Sequence, residues 1–497
     1  MDAVSLQVML GALRAVCDEM GAVLIRSAHS ANIKERRDAS TAVFDAGGQM
    51  VMQAAHIPVH LGAMPSAVAA VLDEDHSPGD AWMLNDPYRG GTHLPDITVI
   101  SPVFAGRELL GFAANRAHHA DVGGAAPGSM PAGSRTLEDE GVVIAPTRLV
   151  AGGELDRALL DDLTQRMRTP AQRVADLRAQ LAANRTGTAQ LLELVDRHGL
   201  DTLREAMQAT LDYAERRTRA RIAALDDGER TARDVLEAGD GDVELRLVAT
   251  VAGDELTLDF RGSAGQQDGN LNCPLAVTLS ASYFAVRVLT DPDLPPSAGA
   301  YRPVHVVTDE GSLLDARAPA AVAAGNVETS SRVADAVLAA FGRALGQGTM
   351  NNLTLGTDDF SYYETLAGGQ GACPEADGPS AVHVAMTNTL NTPIEALELE
   401  FPLRAVEYSV RRGSGGAGAR SGGDGVVREL EALTEMEYSL ITDRRRHPPP
   451  GAAGGEAGAR GRNALNGREL PAKVAGQLRP GDRLRLETPG GGGYGSS

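Results

Sequence analysis

The amino-terminal segment carries apolar side chains at intervals of three and four residues. These apolar positions are Leu6, Met9, Leu10, Leu13, Val16, Cys17 and Met20. Residues so spaced share one face of a helix, because an α-helix turns every 3.6 residues. The pattern predicts an amphipathic helix over residues 5–29.

Shorter apolar runs predict strands in the next hundred residues. TAVFDAGGQMVMQ indicates a β-hairpin, because Asp45 and the two glycines that follow it suit a tight turn. Residues 59–76 are expected to form a second helix. DITVISPVF and ELLGFAANRA then predict two strands joined by a turn at Gly106.

Residues 155–225 are rich in leucine, alanine and arginine and contain few helix breakers, which predicts three long helices. On the second of these helices, Asp176, Gln180 and Asn184 recur every four residues and share one face. Two interpretations of this stripe stay open. It either faces solvent or forms the polar edge of a cleft.

Strand patterns return after residue 228. VELRLVATVAGDELTLDF predicts two strands around residues 252–254, and PLAVTLSASYFAVRVLT and GNVETSSRVADAVLAAFGRAL predict helices. Residues 349–412 are expected to alternate strands and loops. The carboxyl-terminal part is rich in glycine, which suits either a flexible tail or ordered turns between strands.

Together these elements predict an α+β protein with β-rich ends and a central helical segment. Four parts are expected: a mixed α/β domain with site loops (1–150), a helical segment (151–227), a second mixed α/β domain (228–412), and a glycine-rich β region that packs on the body (413–497). A chain of 497 residues is long enough for several such parts.

Charge and cysteine content narrow the function classes. The formal net charge of −20 argues against nucleic acid as a partner, because nucleic-acid-binding proteins present a basic face. The sequence contains no apolar run of about 18 residues, so it predicts no membrane span. The three cysteines form no CxxC pair, and the amino terminus, with its acidic Asp2, is unlike a signal peptide. We expect a cytoplasmic protein with reduced thiols.

Residues with metal-binding chemistry cluster between positions 85 and 121. NDPYRGGTHLPD places His93 and Asp96 three positions apart, and ANRAHHADVGG follows with His118, His119 and Asp121. Two histidines and a carboxylate suit Zn, Mn or Fe. The third ligand is either His118 or His119, since adjacent strand residues point to opposite faces. Alternatively, these side chains cap loops and bond backbone amides.

Three further observations bear on the site. His56 and His60, in AAHIPVHLG, are either structural or near the same cluster. The charged run NIKERRDAS, residues 32–40, is either a solvated surface or a segment that binds an anion or another protein chain. No GxxxxGK[ST] signature is present, so this chain is not expected to bind ATP alone.

Several long motifs resemble the hydantoinase B/5-oxoprolinase family, which includes B subunits of ATP-dependent N-methylhydantoinases and is related to subunits of acetone and acetophenone carboxylases. The motifs are NDPYRGGTHLPDITVISPVF, HHADVGGAAPGSMP, GNVETS, GTMNNL, MTNTLNTPIEALELEFPLR and TPGGGGYG. They extend from about residue 30 to the carboxyl terminus.

The resemblance implies a hetero-oligomeric complex. A partner A-type ATPase subunit would bind ATP-Mg and activate a cyclic amide, such as a hydantoin or 5-oxoproline, by phosphorylation. The present chain would then hydrolyse the activated amide. The resemblance also implies a divalent metal, Zn, Mn or Fe, held by His93, Asp96 and His118.

Roles for the remaining polar residues are expected from this chemistry. Either His119 or Asp121 would act as general base. Arg89 and Arg116, with the backbone amides of Gly90–Gly91, would stabilise a negatively charged phosphorylated intermediate. Two alternative functions stay open: a subunit of an ATP-dependent ketone carboxylase, and a non-catalytic scaffold for the ATPase subunit.

Overall fold

Helices and strands are interleaved along the chain, which confirms the predicted α+β class. The computed structural model describes residues 1–55, 57–239 and 241–496. His56 lies outside the described residues, so the prediction about it stays open. Within these ranges, no helix combines the length and the hydropathy needed to cross a membrane.

Ten α-helices lie in the described chain. They are α1 (Ala3–Ser27), α2 (Ala31–Lys34), α3 (Ala63–Ala69), α4 (Leu137–Glu140), α5 (Arg157–Gln165), α6 (Pro170–His198), α7 (Leu200–Ile222), α8 (Leu275–Thr290), α9 (Ser330–Ala340) and α10 (Ile394–Glu400). The helix predicted over residues 59–76 is much shorter, because a 3₁₀ turn at Pro58–His60 precedes α3 and turns follow it. A π-helical turn at Gly325–Thr329 leads into α9.

The strands of the described chain run in order from the amino-terminal hairpin to the carboxyl-terminal region. They are β1 (Ala39–Asp45), β2 (Met50–Ala55), β3 (Ala81–Leu84), β4 (Asp96–Ala105), β5 (Glu108–His118), β6 (Thr147–Ala151), β7 (Glu154–Leu155), β8 (Gly228–Ala238), β9 (Gly241–Ala252), β10 (Glu255–Asp259), β11 (Val304–Val307), β12 (Asn352–Gly356), β13 (Ser361–Glu364), β14 (Leu403–Arg411), β15 (Gly425–Ala432), β16 (Met436–Ile441), β17 (Arg462–Leu465), β18 (Arg468–Leu470), β19 (Lys473–Leu478) and β20 (Arg483–Glu487).

These strands form four sheets. Their orders are β2-β1-β5-β4-β3-β6-β7, β11-β10-β9-β8, β13-β12-β16-β19 and β14-β15-β20-β17-β18. All pairs are antiparallel except β10 with β11. The third sheet combines strands from both sides of residue 412, where a domain boundary is predicted.

Strands β4 and β5 lie at the centre of the first sheet and are buried along most of their length. Helix α6 packs on both of them, and α3 also contacts both. Burial on two faces explains why their sequences are continuous apolar runs rather than strict alternations. Their register places Asp96 directly opposite His118, so the pairing of two strands brings two of the predicted metal ligands together.

The polar stripe on α6 attaches this helix to its surroundings. Gln180 donates to the Ile97 carbonyl at 2.8 Å, and Asn184 donates to the Val99 carbonyl at 3.0 Å. Asp176 accepts hydrogen bonds from the backbone amides of residues 29 and 30. All three side chains are buried, so the interpretation of a solvated stripe is wrong.

The glycine-rich carboxyl-terminal part forms ordered turns. Gly491 donates to the Gly423 carbonyl and accepts from the Gly416 amide, each at 2.9 Å. A Cβ atom at position 491 would lie 2.0 Å from the Gln370 carbonyl oxygen, so only glycine fits there. The glycines of this region therefore permit close packing of backbone against backbone.

Candidate metal centre

The loop between β3 and β4 is held at both ends by one side chain. Asn85 Nδ2 donates to the carbonyl oxygens of Leu94 and Val142 at 2.8 and 2.9 Å. Asn85 Oδ1 accepts from the Ile144 amide at 2.6 Å. These bonds fix the loop so that His93 and Asp96 stand where β4 begins.

Gly90 and Gly91 allow this loop to pack against neighbouring backbone. Gly90 has φ 97°, and a Cβ there would lie 2.5 Å from the Ser66 carbonyl oxygen. A Cβ at Gly91 would lie 2.3 Å from the Asn85 carbonyl oxygen. The Gly91 amide already donates to the Asp86 carbonyl at 2.8 Å, so it is not free to bind an anionic intermediate as predicted.

The Asp96 carboxylate lies among three buried histidines. Its Oδ2 atom is 3.3 Å from His93 Nε2 and 3.4 Å from His60 Nε2. Its Oδ1 atom is 3.2 Å from His118 Nδ1. Thr92 Oγ1 donates to Oδ2 at 2.6 Å and holds the carboxylate in place.

The arrangement fits one divalent cation. One ligand atom from each of His93, Asp96 and His118 lies within 4.8 Å of the other two. Within the described chain, the Nε2 atoms of His60, His93 and His118 are buried without a hydrogen-bond partner. Leaving buried polar atoms unpaired costs free energy, and a cation held by His93 and His118 would satisfy ring nitrogen atoms of these two residues. Two imidazoles and a carboxylate suit Zn, Mn or Fe.

Protonation states in this cluster also suit metal binding. Burial would raise the pKa of Asp96, but the favourable electrostatic environment of the three surrounding imidazoles holds it well below its usual value. Burial lowers the pKa of His118 to about 3 and also lowers that of His60, outweighing the attraction of Asp96. An ionised carboxylate and neutral imidazoles are the forms that ligate a metal.

The two adjacent histidines face opposite sides of the sheet. His118 faces Asp96, whereas His119 Nε2 lies 2.9 Å from Gln180 Oε1 on helix α6. Burial lowers the pKa of His119 to about 4. The structure therefore places His118, and not His119, beside the other two candidate ligands.

Asp121 and Arg89 lie away from this cluster. The Asp121 carboxylate accepts from the amides of Gly123 and Gly128 at 2.7 and 2.9 Å and pairs with Arg168 at 3.1 Å. These contacts order the loop after β5. Arg89 is exposed at the end of a 3₁₀ turn. Neither residue, nor His119, is among the described residues that line the cavity beside His118.

A small cavity of about 20 Å³ lies against Asp96 and His118, and Asp38 and His60 also line it. This volume is close to what one water molecule requires. Asp38 and its neighbour Arg36 are buried, so the interpretation of a solvated charge run is wrong for these two residues. Burial raises the pKa of Asp38 to about 7, against the opposing effect of Arg36.

The far wall of the cavity comes from distant parts of the chain. Tyr363 stacks on His118 with ring centroids 4.3 Å apart. Asn326, in the π-helical turn, also lines the cavity, and its buried Oδ1 has no hydrogen-bond partner in the described chain. Sequence analysis missed both residues as site residues. The motif GNVETS, which contains Asn326, was the available signal.

Thr387 lines both this cavity and a larger cleft of about 370 Å³. One wall of the cleft is apolar, with Phe284, Val288 and Leu338. On the other side, His383 Nδ1 shares a 3.1 Å hydrogen bond with Thr387 Oγ1. Burial lowers the pKa of His383 to about 4, so its ring is neutral at pH 7.

Sequence comparisons relate the whole chain to one protein family. The family model described as hydantoinase B/oxoprolinase matches residues 2–497. The chain is 36% identical to a 5-oxoprolinase of Dictyostelium discoideum, with all of this chain and 40% of that protein covered. It is 31% identical to a protein of Pseudomonas sp. (strain NS671) provisionally named as the B component of a D-/L-hydantoinase, with 100% of this chain and 90% of that protein covered.

Comparisons of structure agree with this result. An ATP-dependent caprolactamase from Pseudomonas jessenii is similar with a TM-score of 0.94 and 28% identity, covering 100% of this chain and 91% of that one. An acetone carboxylase in its nucleotide-free state shares the fold, with a TM-score of 0.87 at 18% identity over 99% of this chain and 76% of that one. The chain belongs to the hydantoinase B/oxoprolinase family.

Proposed function

We propose that the chain is the B-type subunit of an ATP-coupled enzyme that hydrolyses a cyclic amide. The family supports ATP-coupled amide hydrolysis as the reaction class. An A-type partner subunit is proposed to bind ATP-Mg and to activate the substrate. The complex is proposed to work in the cytoplasm. The chain spans about 40% of the length of its 5-oxoprolinase relatives. The complete reaction is therefore proposed for a complex of this chain with a partner, and not for this chain alone.

The buried cluster of His93, Asp96 and His118 is the observation that carries this proposal. Of these residues, Asp96 and His118 line a small cavity, and Thr387 lines both that cavity and a larger, substrate-sized cleft. His93, Asp96 and His118 are proposed to hold Zn, Mn or Fe. When bound, such an ion supplies Lewis-acid chemistry toward a carbonyl group or a water molecule.

Other residues of the chain are proposed to position groups and move protons. Asp38 is proposed as the proton acceptor, because it lines the same cavity as Asp96 and His118 and burial raises its pKa to about 7. We propose it in preference to His119 and Asp121, whose side chains bond to Gln180 and to the loop after β5. His119 is then a positioning residue for its neighbour His118.

The cleft beyond Thr387 is proposed to receive the substrate. Its volume of about 370 Å³ lies within the range of small-molecule sites. Phe284, Val288 and Leu338 would pack against the methylene groups of a ring, while His383 offers its Nε2 atom to a polar edge. A cyclic amide has both kinds of surface.

The test uses the chain purified together with its ATPase partner. Hydantoin, 5-oxoproline and caprolactam are each incubated with the complex and ATP-Mg, and ADP and ring-opened product are measured. We expect coupled formation of both with at least one substrate. His93→Ala and Asp96→Ala should abolish product and metal content without loss of assembly, whereas the exposed His198→Ala should match the unmodified chain.

Two results would overturn the proposal. ATP consumption that requires a ketone and bicarbonate, with no ring opening of any amide, would identify a carboxylase. Undiminished turnover by a complex containing His93→Ala and Asp96→Ala would identify the chain as a scaffold for its partner.

A further inference from the structure

Five arginines line one surface cleft in the carboxyl-terminal region. They are Arg411 at the end of β14, Arg445 and Arg446 after β16, and Arg460 and Arg462 before and at the start of β17. The cleft has a volume of about 700 Å³, and Glu469 is the one acidic residue among its described lining residues. Such a cluster contrasts with the net charge of −20 of the whole chain.

The outer arginines have little compensating charge. In the part of the chain that the structure describes, the Arg460 guanidinium makes no hydrogen bond and no ion pair. Arg462 Nε lies 3.9 Å from the largely exposed Glu469. A surface pair at this distance contributes little, because water screens it and both side chains stay mobile. Arg446 is better paired, at 2.9 Å from Asp242.

The inner arginines are held mainly by neutral oxygen atoms. Arg445 donates to the side-chain oxygens of Asn351 and Asn463 at 2.9 and 2.7 Å. Burial lowers the pKa of Arg445 to about 10, although carboxylates farther away oppose this. Arg411 donates to the carbonyls of Arg460 and Thr488, and lies 3.5 Å from Glu487.

The geometry points to a binding site for a phosphate group in this cleft. Guanidinium groups present paired N–H donors that match phosphate oxygens, and a bound phosphate would relieve the repulsion among the arginines. The cleft is larger than a phosphate ion, so the group is either free phosphate or the phosphate of a larger molecule such as a nucleoside diphosphate. None of the residues that line this cleft lines the metal cavity, and the proposal does not rest on the proposed function.

Calorimetric titration of the full chain tests the site. Inorganic phosphate and ADP are titrated separately at constant ionic strength, balanced with chloride. We expect saturable binding that Arg460→Gln/Arg462→Gln weakens by about tenfold or more, because hydrogen bonds between charged groups are lost. Arg107→Gln/Arg157→Gln removes two exposed arginines elsewhere and should leave binding unchanged.

The two ligands separate the sources of the phosphate. Tighter binding of ADP than of phosphate supports a nucleotide, and equal affinities support free phosphate. Absence of saturable binding of either would overturn the proposal, as would equal weakening in both double variants, which indicates non-specific attraction. Binding of polyglutamate without binding of phosphate or ADP would overturn it in favour of a protein-binding surface.

Discussion

At the scale of single residues, the candidate metal centre depends on Asp96. Its two oxygens are within 3.4 Å of nitrogen atoms from His60, His93 and His118, and Thr92 holds one of them by a hydrogen bond. An ionised carboxylate in a buried site requires such partners, because desolvation of an isolated charge is costly. The single negative charge of this carboxylate would offset part of the charge of a divalent cation.

Replacing Asp96 by asparagine is expected to remove the metal. The neutral amide loses the charge that attracts the cation, so affinity should fall by more than the roughly 10–100-fold caused by changes beyond the direct ligands. Metal content per chain is measured by mass spectrometry after dialysis. Asp18→Asn, an exposed position on α1, serves as control. Equal metal content in both variants would contradict the proposed ligand.

Asp38 is expected to set the acidic limb of the pH profile. A carboxyl group can accept a proton only in its ionised form. Because burial raises the pKa of Asp38 to about 7, kcat/KM of the assembled enzyme should rise with pH up to about 7. A bound cation shifts this midpoint downward by favouring the ionised carboxylate. Asp38→Asn should lower kcat by roughly 10²–10⁴-fold and flatten the acidic limb. An unchanged profile would exclude Asp38 as the base.

The sequence predicted part of this constellation. His93 and Asp96 are three positions apart, and a turn between them brings their side chains together. Asp38 and Tyr363 could not be placed in the same way, because their proximity depends on the packing of distant segments. Arg36 illustrates the distance involved, since it donates to the Tyr363 carbonyl 327 positions away.

At the scale of elements, the loop between β3 and β4 depends on the absence of a side chain at position 91. Gly91→Ala would place a methyl group against the Asn85 carbonyl, so the loop must shift. We expect a loss of about 1–3 kcal/mol in the free energy of unfolding, with weaker metal binding. Denaturant titration and metal content measure the two effects.

The control for this variant is Gly11→Ala on α1, where no heavy atom lies within 4 Å of the added Cβ. Alanine favours helix over glycine, so this variant should be up to about 1 kcal/mol more stable. A Gly91→Ala variant as stable as the unmodified chain and with full metal content would show that the loop adapts.

The end of α4 is predicted to make stability depend on pH. Glu140 accepts from the amides of Val322 and Ala323 and from Ser134, yet burial raises its pKa to about 7. Between its unfolded value near 4.5 and about 7, the folded state binds more protons than the unfolded state. The stability contributed by protonated Glu140 is therefore lost as pH rises through this window.

Glu140→Gln should flatten that part of the pH dependence, because the amide does not ionise. The free energy of unfolding is measured in urea between pH 5 and 8 for both chains. The exposed Glu108→Gln is the control and should leave the dependence unchanged. If the pH dependence of the free energy of unfolding is unchanged in Glu140→Gln, other buried carboxyl groups such as Asp335 are responsible for it.

Helices and strands with strong periodicity were predictable as elements. The prediction of α1 and of the three helices in residues 155–225 is confirmed by α1, α5, α6 and α7. Whether the polar stripe on α6 is buried or exposed was not predictable, because the spacing of its residues specifies a shared face and not what that face contacts. Only the packed sheet supplies the partners that bury it.

At the scale of the whole molecule, the candidate metal centre joins separate parts of the chain. Its candidate ligands come from the first sheet and the loop before β4, while Tyr363 from β13 and Asn326 from the π-helical turn line the adjacent cavity. Metal binding is therefore expected to stabilise the whole fold, since only the folded chain brings these groups together.

Removal of metal should lower the melting temperature. At a metal concentration one hundred times Kd, binding stabilises by about 2.7 kcal/mol, which corresponds to about 2–3 °C for a chain of this size. Calorimetry before and after chelation, followed by addition of Zn, Mn or Fe, measures the change and its recovery. His93→Ala should show no response to chelator, and a response equal to that of the unmodified chain would place the metal elsewhere.

The sequence by itself determined the α+β class, the strongest helices and the position of His93, Asp96 and His118 within or next to two strands, because periodicity and turn residues act over short distances. Tertiary structure decided that His118 rather than His119 faces Asp96, since the pairing of β4 with β5 sets which face each residue occupies. It also decided that Asp38, Asn326 and Tyr363 meet at one cavity. Contacts between residues hundreds of positions apart depend on how sheets and helices pack. Local sequence patterns specify single elements and do not specify which elements pack together.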